Sequence, residues 1–369
     1  MGFEDTFRQY NWDDAKTAIY SKTARDVEQA LARSHRGLHD FMALLSPAAA
    51  PYLGQMAAMS REATQQRFGK TMQLYVPLYL SNECQNICTY CGFSYNNPIR
   101  RKTLTGAEIL QEVEAIRAQG FEHVLLVTGE ATQTVGIDYF KKALPLISPH
   151  FAQVSMEVQP MEEEEYTALI PMGLHSVLVY QETYHEADYR RHHPKGKKSS
   201  FSYRLATPDR LGAAGIHKIG LGVLIGLEDW RTDSFFTALH LGYLQRTYWQ
   251  TRYSISFPRL RPFSGGLAPK VEMSDRELVQ LICAYRLLHS DLELSLSTRE
   301  PQQFRDQLVQ LGITTMSAGS RTNPGGYAVD PQSLEQFEIS DDRSAQEVAG
   351  MIRRQGYEPV WKDWELFQR

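Results

Sequence analysis

The stretch Met72-Gln-Leu-Tyr-Val-Pro-Leu-Tyr-Leu80 is an apolar run with the composition of a buried β-strand. From this run onward, short β-rich runs alternate with amphipathic stretches long enough to be helices. Such alternation is typical of repeated βα units around a parallel sheet. Eight runs in all predict an α/β protein built as a closed (βα)8 barrel of the TIM type. The seven later runs are His123–Thr128, Gln153–Val158, Ser176–Tyr180, Ile219–Ile225, Arg252–Phe257, Leu292–Ser297 and Thr314–Met316.

The segments between and around these runs carry helix signals. Thr105 precedes Glu108 by three residues, which is the spacing of a capping box at a helix start. The acidic run from Glu162 to Glu165 suits a helix N-terminus better than a metal site, because negative charge is favourable there. We therefore predict three parts: a helical N-terminal extension over 1–70, the barrel over 71–320, and a C-terminal loop and helix over 321–369 that complete it.

The overall composition narrows the class of partner. The formal net charge is −4 and the isoelectric point is near 6.3, so the chain lacks the basic character of a nucleic-acid-binding protein. It has neither a signal peptide at its start nor a long charge-free apolar run, so we expect a cytoplasmic protein that does not enter the membrane. A small-molecule substrate is the expected ligand.

Three of the four cysteines, Cys84, Cys88 and Cys91, are clustered in one short segment after the first strand. Thiolates bind iron-sulfur clusters or zinc, and this spacing lets one loop aim three sulfurs at a common point. A closed zinc site needs a fourth ligand, and no second Cys or His pair follows at the usual distance. A disulfide would leave one cysteine over and conflicts with a cytoplasmic protein. We therefore rank a cluster above zinc, and zinc above a disulfide.

The segment Cys84-Gln-Asn-Ile-Cys88-Thr-Tyr90-Cys91 resembles the Cys-x-x-x-Cys-x-aromatic-Cys loop of the radical S-adenosylmethionine superfamily. The resemblance implies a 4Fe-4S cluster on Cys84, Cys88 and Cys91, with one iron free of protein ligands. In that superfamily the open iron binds S-adenosylmethionine, and its reductive cleavage yields a 5'-deoxyadenosyl radical.

The resemblance also implies a set of cofactor-binding residues on the same barrel rim. Tyr90 is the aromatic residue of the loop. Gly129 and Glu130, after the second strand, resemble a Gly-Glu segment that receives hydrogen bonds from the methionine ammonium group. Glu157 and Glu182, after the third and fourth strands, are candidates for polar contacts near the ribose, although either could instead be a buried structural glutamate.

Five further segments resemble the aromatic amino-acid lyase branch, in particular the tyrosine lyases of thiamine thiazole synthesis. The implied reaction cleaves the Cα–Cβ bond of L-tyrosine to 2-iminoacetate and 4-methylphenol. The implied partners are an electron donor, of flavodoxin or ferredoxin type or NADPH-linked, and the thiazole synthase protein. The segments are Tyr180–His185, His193–Gly196, Gly226–Arg231, Ser256–Arg261 and Met316–Tyr327.

Two rim residues are candidates for substrate binding. Arg299 follows the seventh run, and its planar guanidinium matches an amino-acid carboxylate in two parallel hydrogen bonds. Ser317 opens the loop after the eighth run. By resemblance Arg299 binds the carboxylate and Ser317 assists it, whereas the structural alternatives are an ion pair across the rim for Arg299 and a turn cap for Ser317.

The sequence alone leaves three alternative functions open. The substrate could be tryptophan or another amino acid, or the chemistry could be that of hydrogenase maturation, whose enzymes carry a second cluster on C-terminal cysteines. Here the only later cysteine is Cys283, which fits the apolar side of a helix. A non-catalytic, zinc-stabilised binding module is the third possibility. The basic run Arg190–Lys198 is interpreted as a solvated rim loop or a contact to a cofactor carboxylate rather than a nucleic-acid site.

Overall fold

The computed structural model describes residues 2–261, 267–331 and 335–363. Eight parallel strands form a closed barrel, because β1 pairs with β2 on one side and with β8 on the other. The predicted (βα)8 barrel is therefore confirmed. The strands of the barrel are β1 (Thr71–Ser81), β2 (His123–Thr128), β3 (Gln153–Glu157), β4 (Leu174–Leu178), β5 (Lys218–Gly222), β6 (Arg252–Ser256), β7 (Glu293–Leu296) and β8 (Thr315–Ser317).

Helices precede the barrel and alternate with its strands. The capping box predicted at Thr105 is present, since Thr105 exchanges hydrogen bonds with Glu108. The helix start predicted at the acidic run is confirmed too, because α8 begins at Glu163 and Glu162 is its N-cap. The α-helices are α1 (Phe3–Phe7), α2 (Trp12–Tyr20), α3 (Ala24–Ala32), α4 (Leu38–Leu45), α5 (Leu53–Phe68), α6 (Gly106–Ala118), α7 (Ile137–Ile147), α8 (Glu163–Leu169), α9 (Glu186–His192), α10 (Phe201–Leu205), α11 (Thr207–Ala213), α12 (Trp230–Thr247), α13 (Asp275–Leu288), α14 (Gln302–Leu308) and α15 (Ala345–Arg354).

The helices before β1 pack on the outer helices of the barrel. Helices α4 and α5 contact α13, and α1, α2 and α4 contact α12. Gln280 on α13 donates its side-chain amide to the carbonyls of Leu44 and Ser46, at 2.8 and 2.9 Å, which satisfies carbonyl groups at the end of α4. Apolar residues of both parts share one continuous core, so the N-terminal helices are part of the barrel's packing. Cys283 is fully buried on α13, as predicted.

The C-terminal part differs from the sequence interpretation in one element. Besides the predicted loop and helix, this part contains a short strand, β9 (Glu358–Val360), parallel to the start of β1. A three-residue strand containing proline has too little periodicity to be recognised from sequence. Residues 332–334 and 364–369 of the predicted C-terminal part lie outside the described residues. No helix in the described ranges is long and apolar enough to cross a membrane.

A buried ion pair joins the C-terminal segment to the barrel. Arg305 on α14 donates to the carboxylate of Asp341, and both side chains are 0% exposed. The same guanidinium donates to the Ser317 carbonyl at the end of β8, and Arg343 donates to Asp341 at 2.7 Å. Removing one partner of such a pair leaves an uncompensated buried charge.

We predict that Asp341→Ala lowers the free energy of unfolding by about 3–5 kcal/mol, because Arg305 then stays buried without a counter-charge. Urea unfolding of the two proteins measures the difference. The neighbouring Asp342 is exposed, so Asp342→Ala is the matched control and should change the value by less than about 0.5 kcal/mol. An equal effect of both substitutions would contradict the role assigned to this pair.

Candidate active site

All the sequence-predicted site residues line one cavity at the carboxyl ends of the barrel strands, where this fold places its active sites. The cavity contains the cysteine loop on one side and the ends of β7 and β8 on the other. The predicted residues that line it are Cys84, Cys88, Tyr90, Cys91, Gly129, Glu130, Glu157, Glu182, Arg299 and Ser317.

The cysteine loop is held in place mainly by Asn86. Its side-chain amide donates to Glu130 at 2.8 Å, its side-chain oxygen accepts from the Lys198 backbone N–H at 3.0 Å, and its carbonyl accepts from the Tyr95 N–H at 2.8 Å. Gly129 fits under the loop because it has no side chain: a Cβ there would lie 2.2 Å from the Glu83 carbonyl oxygen. The loop is therefore seated on the end of β2.

The three sulfurs suit a polynuclear cluster better than one metal ion. All three cysteines are free thiols, yet among the described residues they do not form a group whose ligand atoms all lie within 4.8 Å of one another. A single tetrahedral zinc, with Zn–S of about 2.3 Å, would hold its sulfurs about 3.8 Å apart. Within the described residues, the group whose ligand atoms lie within 4.8 Å of one another is His185, Asp188 and Glu228, and the ammonium of Lys270 already binds both of its carboxylates.

The thiols of Cys84 and Cys88 are protonated at neutral pH in the absence of a metal. Burial and the neighbouring Cys91 and Glu130 together raise the pKa of Cys84 to about 11. The pKa of Cys88 is raised by burial and by the other two thiols, with Lys198 opposing the shift. A coordinated metal reverses this balance, because a coordinating thiol is deprotonated by the positive charge. The donor set thus fits an iron-sulfur cluster with three cysteine ligands.

Tyr90 is fixed by a histidine whose tautomer follows from its partners. His193 Nδ1 lies 2.6 Å from the Tyr189 carbonyl, which only accepts, so Nδ1 carries the proton. Nε2 then accepts from the Tyr90 hydroxyl at 2.5 Å. Burial holds the pKa of His193 well below its ordinary value, so the ring stays neutral and this arrangement persists.

Two buried cations face the candidate carboxylates. Arg204 on α10 donates to Glu130 at 2.9 Å and to the Tyr180 carbonyl at 2.6 Å. Lys198 donates to Glu182 at 2.8 Å, and the side chains of Lys198 and Arg204 are only 11% and 7% exposed. Burial alone would raise the pKa of Glu182, but Lys198 and Arg204 lower it overall, so this carboxylate is ionised at neutral pH.

Sequence reasoning missed Asn86, Lys198 and Arg204 as parts of the site. Lys198 ends the basic run that we interpreted as solvated or in contact with a cofactor carboxylate; it points inward, so the solvated interpretation is wrong for this residue. Arg204 lies on a five-residue helix with no motif of its own. Of these three residues, Asn86 alone could have been suspected from the sequence, because it lies between two of the clustered cysteines.

Glu157 is a carboxylate in the cavity whose pKa is raised toward neutral pH. Burial, helped by Glu182 and opposed by Arg299 and Lys198, raises its pKa to about 7. Glu157 therefore changes charge near physiological pH inside the cavity.

Among the cationic side chains that line the cavity, Arg299 is the one with no ion pair to a carboxylate in the described residues. Its guanidinium lies 3.4 Å from the centre of the Phe337 ring, and no ion pair of Arg299 occurs in the described part of the chain. Glu300 next to it is buried and pairs with Arg259 and Arg261 instead. The alternative of a rim ion pair for Arg299 is therefore not what the structure shows.

Ser317 contacts the backbone that carries Arg299. Its hydroxyl oxygen accepts from the Thr298 N–H at 3.0 Å, so it holds the turn after β7. The Ser317 hydroxyl also forms a hydrogen bond with the phenol of Tyr75, which lines the same cavity. Both a structural contact and an assisting role in substrate binding are compatible with this geometry.

A barrel with a three-cysteine loop at its rim defines a radical S-adenosylmethionine enzyme. The family model of the Radical SAM superfamily matches residues 78–238, and that of the Biotin and Thiamin Synthesis associated domain matches residues 256–358. The superfamily carries a 4Fe-4S cluster and uses S-adenosylmethionine, which confirms the predicted cofactors.

Full-length relatives identify the family more narrowly. The chain is 57% identical to 2-iminoacetate synthase of Escherichia coli (strain K12), over 99% of this chain and 97% of the relative. It is 56% identical to 2-iminoacetate synthase of Salmonella typhimurium, over 98% and 97%. The chain therefore belongs to the 2-iminoacetate synthase family of radical carbon–carbon lyases.

Solved structures share the fold of this chain. A crystal structure of HydG, a maturase of the FeFe-hydrogenase, superposes with a TM-score of 0.88 at 30% identity, covering 97% of this chain and 80% of HydG. Methylornithine synthase (PylB) superposes with a TM-score of 0.72 at 19% identity, covering 91% of this chain and 97% of that chain, which shows the shared fold.

We predict that the free energy of unfolding of cluster-free Glu157→Gln increases relative to that of the wild type as the pH rises from 5 to 8. The folded-state pKa of about 7 exceeds the ordinary value of 4.5, so the folded state binds the extra proton within this window. Ionisation then costs folding free energy, and the wild type loses stability as the pH passes from 4.5 to 7, whereas glutamine cannot ionise.

Urea unfolding at several pH values measures this difference. Glu163→Gln is the control, since Glu163 is exposed at the start of α8. A pH-independent difference between wild type and Glu157→Gln would show that Glu157 does not titrate near neutral pH.

Proposed function

We propose that this chain is a radical lyase that cleaves the Cα–Cβ bond of L-tyrosine to 2-iminoacetate and 4-methylphenol and supplies thiamine thiazole synthesis. The full-length identity to 2-iminoacetate synthases supports the reaction class. The observation that carries the proposal for this chain is the uncommitted guanidinium of Arg299, which lines the same cavity as the three free cysteines. One cavity thus holds a cluster-binding loop and a cation for an amino-acid carboxylate.

Cys84, Cys88 and Cys91 would hold the 4Fe-4S cluster. When bound, the cluster and S-adenosylmethionine supply the 5'-deoxyadenosyl radical that begins the reaction. Three protein ligands would leave one coordination position for the cofactor, and Asn86 holds the loop that carries them at the rim of the cavity.

The rim carboxylates are suited to the positive and hydroxyl-bearing parts of the cofactor. Arg204 and Asn86 fix both oxygens of Glu130, so the remaining lone pairs and the Gly129 backbone can receive hydrogen bonds from an ammonium group. Glu182, ionised and held by Lys198, and Glu157 can accept from hydroxyls of the ribose. Charge-assisted bonds of this kind contribute about 1.5–3 kcal/mol each.

Arg299 and Ser317 would bind the tyrosine carboxylate. Phe337 stacks on the guanidinium and keeps its fork oriented, so less conformational freedom is lost when a carboxylate binds. Tyr75, Tyr79 and Tyr180 line the cavity between the cysteine loop and this end. Burial raises the pKa of each of these phenols, so they stay neutral and shield the reacting atoms from water.

The partners follow from the reaction. Reductive cleavage of the cofactor consumes one electron, so the proposal requires a one-electron donor of flavodoxin or ferredoxin type or an NADPH-linked system. The product is an imine that water hydrolyses, which favours direct handover to the thiazole synthase protein. We keep the proposal that the chain does not act on nucleic acid.

The hydrogenase-maturation alternative has one observation in its favour, the close superposition on HydG. A second cluster on C-terminal cysteines would be needed, however, and the sequence contains no cysteine after Cys283, which is buried on α13. This chain lacks the ligands for such a cluster.

We predict that the reconstituted protein, incubated anaerobically with reductant, S-adenosylmethionine and tyrosine, forms 5'-deoxyadenosine and 4-methylphenol. Liquid chromatography with mass detection measures both products. Tryptophan in place of tyrosine is the substrate control and should give no 3-methylindole. Deoxyadenosine without 4-methylphenol would reject tyrosine cleavage while leaving the superfamily chemistry intact.

Within the same assay, Arg299→Ala should lower kcat/KM for tyrosine at least a hundredfold, and Arg299→Lys should recover only part of it, because lysine lacks the planar fork. Iron content and absorbance should stay at wild-type values in both variants. Arg276→Ala, at an exposed position on α13, is the control. Unchanged tyrosine cleavage in Arg299→Ala would remove Arg299 from the substrate site.

A further inference from the structure

Four exposed basic side chains lie in the segment that is hydrogen-bonded to the cysteine loop. Arg190 and Arg191 lie in the last turn of α9, and Lys195 and Lys197 lie in the turn that follows. All four are exposed, in contrast to Lys198. We call Arg190, Arg191, Lys195 and Lys197 the basic rim.

The basic rim is bonded directly to the cluster-binding loop. The Ile87 N–H donates to the Lys195 carbonyl at 3.0 Å, and the Thr89 N–H donates to the His192 carbonyl at 3.1 Å. These bonds lie on either side of Cys88. The segment that carries the basic rim is therefore bonded to the loop at the two residues next to Cys88.

The packing of the turn on the loop leaves no gap. A Cβ at Gly196 would lie 2.1 Å from the Asn86 side-chain oxygen, so only glycine allows the turn to sit against Asn86. Gly196 also has a φ of 98°, which glycine adopts without strain. The positions of Lys195 and Lys197 are thus fixed relative to the cysteines.

The patch presents positive charge outward. The side chains of Arg190 and Arg191 are 69% and 72% exposed, whereas their carboxylate partners Glu186 and Asp188 are 26% and 3% exposed. Neither Lys195 nor Lys197 forms an ion pair within the described ranges of the chain, and the ammonium of Lys197 lies 4.7 Å from the centre of the Tyr203 ring. The positive surface is local, because the chain as a whole carries a net charge of −4.

We propose that the basic rim is the docking surface for an acidic one-electron carrier protein that reduces the cluster held by the cysteine loop. The carrier loses one electron and the cluster gains it, and no bond or proton is transferred. A positive patch raises the rate of encounter with a negatively charged partner and orients it, and here the orientation places the carrier over Cys88. The exposed Tyr95, 61% accessible and on the same loop, adds an aromatic contact of the kind enriched at interfaces.

This inference rests on the proposed function only in requiring a reducible cluster. It explains why a basic run occurs in an acidic protein that binds small molecules. A nucleic acid is the other partner that such a run could attract, and the experiment includes it as an outcome.

The test is the rate of cluster reduction in the double variant Lys195→Glu/Lys197→Glu. Stopped-flow absorbance follows reduction of the reconstituted full chain by reduced flavodoxin, an acidic flavoprotein, at low ionic strength. We expect the second-order rate constant to fall at least tenfold. We also expect the wild-type rate to fall steeply with added salt and the variant's rate to depend on salt only weakly.

The matched control is Lys141→Glu/Lys142→Glu, which makes the same charge change at two exposed positions on α7. Its rate constant should stay within twofold of wild type. Reduction by photoreduced deazaflavin, a small uncharged donor, should be equal in all three proteins, and tyrosine cleavage driven by that donor tests the proposed function separately.

Three results would overturn the proposal. They are an unchanged flavodoxin rate in Lys195→Glu/Lys197→Glu, an equal loss in the α7 control, and a parallel loss with deazaflavin, which would indicate a damaged cluster site. Tight wild-type binding of a short RNA duplex that the double variant loses, without a change in flavodoxin reduction, would assign the patch to nucleic acid instead.

Discussion

The seating of the cysteine loop on the end of β2 is the constraint on which the site depends. Asn86 links three segments that are far apart in sequence, since it bonds to Glu130, to the Lys198 backbone and to Tyr95. Glycine at 129 and at 196 lets the neighbouring segments approach the loop closely from two sides. Because the sulfurs are carried by this loop, these contacts fix where the three cysteines lie at the rim of the cavity.

Buried charged side chains next to the cysteine loop are paired with one another. Glu130 and Glu182 would be costly to bury alone, and Arg204 and Lys198 compensate them within hydrogen-bond distance. Lys198 and Arg204 point into the site, whereas the four side chains of the basic rim are exposed. One short basic segment thus supplies Lys198 to the site and the basic rim to the surface.

The fold was largely predictable because strand periodicity and helix caps are local signals. The runs beginning at His123 and Arg252 start where the strands start, and the Thr105 capping box is present. The strand at Glu358–Val360 was missed because its pairing with β1 is a tertiary contact with no local pattern. The cysteine loop was recognisable from its spacing, but Arg204 and the inward turn of Lys198 depend on packing between segments, which a single sequence does not display.

The central claim is that three cysteine ligands leave one iron open to S-adenosylmethionine at this rim. Electron–nuclear double resonance of the reduced cluster, with S-adenosylmethionine carrying nitrogen-15 in its amino group, tests it most directly. We predict a hyperfine coupling to the labelled nitrogen that disappears when unlabelled cofactor is used. A reduced cluster with no coupling to the cofactor nitrogen, and a spectrum unchanged by adding the cofactor, would contradict this account.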